Sequence, residues 1–80
     1  VLMTKFYFHI RQGAYRFNDG TGAELRSLED AWNYAIGDAR SLIDEHVLEG
    51  SIDEHWIEIG DETGAVVASL PFARTLSPLH

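Results

Sequence analysis

Eighty residues with thirteen acidic and six basic side chains carry a formal net charge of -7. Apolar residues at 45% and charged residues at 24% belong to a folded domain rather than a disordered segment. The charge works against nucleic-acid backbones and anionic membranes, no apolar run is long enough to span a bilayer, and the absence of cysteine excludes disulfides and thiolate zinc sites.

Val1 and Leu2 precede Met3-Thr4-Lys5, which reads as a natural start. The N-terminus runs directly into a strand pattern and leaves no signal peptide, so a cytoplasmic protein is expected. Lys5 to Arg11 alternates strictly, with Phe6, Phe8 and Ile10 on one side and Tyr7, His9 and Arg11 on the other. That period of two predicts a half-buried strand. Gln12-Gly13 marks a turn, Ala14 to Phe17 a short second strand, and Asn18 to Gly22 a turn-rich loop. Glu24 and Leu25 lead into the helix.

Ser27 is the expected N-cap, since its hydroxyl can accept from a free backbone N–H. Glu29 and Asp30 place negative charge in the first turn, where the macrodipole favours it, and Asp30 three residues on approximates a capping box. From there Leu28, Ala31, Trp32, Ala35, Ala39, Leu42, Ile43 and Val47 form one apolar stripe with Ala39 near its centre. With Gly50 as the C′ residue, the spacing predicts a helix over 28–49. His55 to Ile59 is the third strand. Asp61 to Gly64 is a tight hairpin with Gly64 suited to a left-handed position, and Ala65 to Phe72 is the fourth strand. Pro71 cannot donate to a ladder and belongs at a sheet edge. Residues 3–73 make one domain, and 74–80 read as a loose tail.

The fold class expected is α+β, in the order β-β-α-β-β: an antiparallel sheet of two hairpins with one long helix on one face. One helix covers one face only. The other carries Tyr7, His9 and Arg11, joined by Trp56 and Glu58 in one register or by Ile57 and Ile59 in the other. Tyr7, His9, Arg11, Trp56 and Glu58 are the candidate interaction face.

The chemistry-bearing residues have plainer roles. His9, His46, His55 and His80 show no metal-ligand spacing on one element. His46 falls on the apolar stripe near the helix end, where it would bond a free carbonyl. His9 lies on the open face and could be oriented by Glu58, but no nucleophile accompanies it. Asp19, Thr21 and Glu24 fail the spacing of a calcium loop. The pairs Asp53-Glu54 and Asp61-Glu62 read as solvated turns, and Ser27 is explained by capping. Tyr34, on the polar side near Asp38, is a mild interface hint.

Phe6-Tyr7-Phe8-His9-Ile10, the segment Asp19 to Leu25, an Ala-rich helix, Ile57 to Gly64 and Leu70-Pro71-Phe72 occur in that order. The chain thereby resembles a family of short bacterial proteins, frequent in rhizobia-like bacteria, known as a domain of unknown function. The resemblance covers roughly residues 3 to 73 and implies no catalytic residue, cofactor or substrate. The aromatic first strand and the Ser27 to Ala31 helix start are also similar to HicB-type antitoxin domains. Those carry an Asp-Leu-Pro-Gly segment where this chain reads Asp19-Gly20-Thr21-Gly22, and often a DNA-binding tail.

The expectation is a small non-enzymatic interaction module without metal, cofactor, small-molecule ligand or nucleic acid. Ordering costs roughly 1.5 kcal/mol per residue and apolar burial returns roughly 25 cal/mol per Å², which nearly cancel at this length. A partner subunit is the common support that remains, so self-association into a homodimer through the open face or an edge strand leads. An acidic antitoxin-like or regulatory protein that binds a basic partner is the alternative, and an enzyme using His9 the third reading.

Overall fold

The computed structural model describes residues 2–46 and 50–76. Strand β1 (Thr4–Gln12) is central. β2 (Tyr15–Phe17) and β3 (Ala23–Leu25) both run antiparallel to it, as one strand interrupted by the 18–22 loop. Helix α1 (Leu28–Asp44) follows, then a 3₁₀ turn (Ile52–Glu54), β4 (His55–Gly60), β5 (Val66–Pro71) and a second 3₁₀ turn (Phe72–Leu76). The sheet order is β2-β1-β4-β5, with β3 also on β1. The expected α+β sheet with one helix is present, and its order is β-β-β-α-β-β. Glu24 and Leu25, read as a lead into the helix, pair with Lys5 and Thr4 instead.

Alternation along β1 decides which side the helix covers. Phe6 and Phe8 are buried beside Ile57, Ile59 and Leu70, with Phe72 at the head of the last turn. The helix contributes Ala31, Ala35 and Ala39, all at 0% exposure. Spaced four apart, these small side chains lie on one line and let the helix approach a sheet that supplies the bulky groups. Leu28, expected on the stripe, is exposed at the helix start.

The Ser27 hydroxyl accepts from the Asp30 N–H at 3.1 Å, as its position predicts. Asp30 pairs with Arg26 at 3.2 Å and does not reach back to close the box. The C-terminus is a correction. The helix stops at Asp44, five residues short of the expected end, because His46 takes a left-handed conformation (φ 55°). The Glu45 and His46 N–H groups close on the Ser41 and Ile43 carbonyls. His46 therefore sits exposed beyond the helix rather than on its apolar stripe. Val47 lies outside the described residues.

The β5 register shifts between Ile59 and Gly60, leaving Val67 as the extra residue of a bulge. Val66 is exposed while Leu70 is buried, as the bulge between them turns the start of the strand outward. Phe72 leaves the strand and is fully buried, its ring 5.6 Å from the buried His55 ring. Residues 74–76, read as the start of a loose tail, continue the last 3₁₀ turn. Thr75 is buried, and its carbonyl accepts from the Arg40 Nε at 3.0 Å. Residues 77–80 lie outside the described residues.

Candidate interaction face

The β1–β4 register settles the open alternative. His9 stands opposite Glu58 and Arg11 opposite Trp56, while Ile57 and Ile59 face the helix. Directly opposed residues share a sheet face, so Tyr7, His9, Arg11, Trp56 and Glu58 lie together on the side without the helix. A row Arg16–Arg11–Trp56–Pro71 crosses β2, β1, β4 and β5, and a second runs His9–Glu58–Ser69. Lys5 falls on the same side by alternation. Three of the six basic residues thus occupy one face of an acidic chain.

Arg11 and Arg16 are direct cross-strand neighbours, an arrangement that repels unless an anion intervenes. Glu58 is that anion, 3.3 Å from Arg11 and 3.2 Å from Arg16. Arg11 also lies over the Trp56 ring, 5.6 Å from its centroid. Glu58 is therefore committed to two guanidinium groups and does not orient His9.

His9 is held by the 18–22 loop instead. Its ring stacks on Tyr7 and lies above Gly60, where a Cβ would come within 3.1 Å of its Nε2. Its Nδ1 accepts from the Asp19 N–H at 3.0 Å. A neutral His9 therefore carries its proton on Nε2 and has no free lone pair for taking a proton from a substrate. Burial and the Arg16 charge hold its pKa below the ordinary histidine value, against the opposing pull of Asp19 and Glu58.

Asp19, which the sequence shows only as part of a turn-rich loop, ties that loop to β1. Where β2 leaves β1, the Phe8 N–H loses its ladder partner, and the Asp19 carboxylate accepts it at 3.1 Å. The same carboxylate accepts from Thr21 at 3.0 Å and from Gly22 at 3.2 Å. Burial pushes its pKa up, but these donors and the nearby His9 outweigh it and bring the net value down.

As pH falls below about 6.5 the unfolded chain takes the proton first. The stability His9 contributes is present above that pH and is lost as pH falls through its lower folded-state value. Titration by two-dimensional NMR should give a His9 midpoint below that of a histidine in the unfolded chain, with the Nε2–H tautomer above it. A midpoint at or above the unfolded value contradicts the hydrogen bond to Asp19.

The helix side is less fully covered than one helix on one sheet suggests. α1 packs over β4, β5 and the last 3₁₀ turn. Tyr15 and Phe17 of β2 are left 73% and 60% exposed. Between β2, the 18–22 loop and α1 runs a cleft of about 390 Å³, lined by Phe8, Ile10, Phe17, Asp19, Tyr34 and Asp38 among others. The Tyr34 ring, expected on the polar side, packs 4.6 Å from Phe8. On the opposite face a shallow depression of about 410 Å³ beside His9 is lined by Tyr7, Arg16, Asp19, Asp61 and Glu62. Among the described residues no three histidines, aspartates or glutamates are placed to hold a metal ion. No helix among them is long and apolar enough to cross a membrane.

Residues 5–73 match a family described as a domain of unknown function, DUF6894. The chain belongs to the DUF6894 family. No curated protein and no solved structure matches it. For this DUF6894 chain, the functional reading therefore rests on its own geometry.

Proposed function

We propose that this DUF6894 chain is a non-enzymatic interaction module, bacterial and cytoplasmic, that associates with a second copy through the outer edge of β5. The observation that carries this reading is the β5 edge itself. Among the described residues no strand pairs with it. From Val66 to Pro71 it carries no charged side chain, and Val66 and Val67 are 46% and 40% exposed. Sheet edges left free in this way are normally blunted by charge. Here the terminal Pro71 and the Val67 bulge are the blunting devices, and they leave Ala68 to Leu70 as the regular stretch for pairing. Two chains of charge -7 repel one another, and an uncharged strand is where they meet with least opposition. His9, with its Nδ1 occupied by a backbone donor, supports a binding role over an enzymatic one.

Sedimentation equilibrium at low micromolar concentration tests the proposal. A dimer is expected, strengthened by salt as the like charges are screened, and Val67→Lys should return it to monomer. A strict monomer across that range removes the self-association.

A second reading, an acidic regulatory protein that binds a basic partner, is favoured by one observation. Asp19 and Asp38 both line the aromatic cleft on the helix side.

A further inference from the structure

The cleft between α1 and β2 combines three features that have no structural explanation together. Its walls are aromatic: Phe8, Phe17 and Tyr34. Phe17 and Tyr34 stay 60% and 49% exposed. Two carboxylates reach it from separate elements, Asp19 from the loop and Asp38 from the helix, four residues after Tyr34 and so on the same helix face. Asp19 is satisfied by backbone N–H groups. Asp38, half-buried, has no hydrogen-bond or ion-pair partner among the described residues and leaves its carboxylate to solvent at the cleft. Burial and the Asp19 charge accordingly hold its pKa above the ordinary carboxylate value. A cation in the cleft would relieve both effects.

We propose that this cleft receives a guanidinium group, carried by an arginine side chain of a basic protein partner. The rings offer π faces to a weakly hydrated planar cation, and the Asp38 carboxylate offers the acceptor for its N–H fork. The volume of about 390 Å³ is at the small end of ligand sites and has room for an arginine side chain. The cleft is on the helix side of the sheet, so it is separate from the face carrying Arg11 and Arg16 and does not depend on pairing at β5. The proposal deepens the second reading above.

The test is an NMR titration of the full chain with Nα-acetyl-arginine methylamide, with the citrulline analogue as its neutral isostere. Saturable shifts at Phe8, Phe17, Tyr34 and Asp38 are expected from the arginine probe and not from citrulline. The Asp38 carboxyl midpoint should fall when the probe is bound. Asp38→Asn should weaken the probe by about tenfold or more, the loss of one charge-assisted hydrogen bond, while leaving the backbone spectrum folded. Equal binding of citrulline, no saturable shift at these residues, or an unchanged affinity in Asp38→Asn overturns the site. A pentapeptide Gly-Gly-Arg-Gly-Gly separates the sources of the group. Binding at least as tight as the single amino acid supports a protein partner, and exclusion of the peptide overturns that part. A probe that binds at the cleft while no basic protein is retained by the chain removes the partner reading and leaves the guanidinium site standing.

Discussion

Gly22→Ala is expected to cost several kcal/mol, enough to leave the chain largely unfolded near physiological temperature. Gly22 lies at φ +73°, where an L side chain adds roughly 1–2 kcal/mol of strain. A Cβ there would also stand 2.9 Å from the Phe6 carbonyl oxygen and 3.1 Å from the Tyr7 ring. The ring could turn aside. The carbonyl cannot, because Phe6 pairs with Ala23 and any retreat breaks the β1–β3 ladder. The Gly22 N–H would also leave the Asp19 carboxylate, loosening the loop that holds His9 and Phe8. A domain of this size holds roughly 4–12 kcal/mol in total, and each kcal/mol moves the midpoint by about 4–8 °C. Thermal unfolding followed by circular dichroism measures the effect, and a loss below about 1 kcal/mol contradicts the close approach described.

Phe72→Ala is expected to cost about 3–5 kcal/mol, the range for removing a large ring from a closed core. Phe72 is at 0% exposure and touches the His55 ring. Its backbone carbonyl accepts from the Thr75 hydroxyl at 2.8 Å, a bond that alanine keeps, so the expected loss is that of the ring alone. The turn in turn holds the helix through the Arg40 bond to Thr75. Denaturant unfolding of the variant should show a lower midpoint with little change in slope. A cost under 1 kcal/mol indicates that the turn does not close the core.

What could be read in the sequence divides by range. The β1 alternation, the Ser27 cap and the Asp61 to Gly64 hairpin are local, and each appears where its residues place it. The Asp61 carboxylate accepts from Thr63 and Ala65 within the turn, which needs no other part of the chain. The helix end failed because two residues competed for the left-handed role. Gly50 has the intrinsic preference, yet His46 takes the position at the helix end. β3 failed because three residues are too few to show a period.

The candidate face was legible as a set of alternatives rather than as a site. Tyr7, His9 and Arg11 follow from alternation alone. Trp56 and Glu58 join them only once the β1–β4 register is known, since a slip of one residue would exchange them for Ile57 and Ile59. The Arg16 link to Glu58 crosses three strands and has no local signal. Asp19 shows in the sequence as a turn former, but its bond to the Phe8 N–H spans eleven residues. The aromatic cleft depends on where the helix stops covering the sheet, a tertiary quantity that neither Phe17 nor Asp38 reveals.

In the proposed dimer two copies meet on the outer edge of β5. Amide hydrogen exchange across a protein concentration series tests it residue by residue. The outward-pointing amides within Ala68 to Leu70 are expected to gain protection as concentration rises from below to above the dimer midpoint, while those of β1 stay constant, and Val67→Lys should abolish the change. Protection in β5 that is independent of concentration would contradict it.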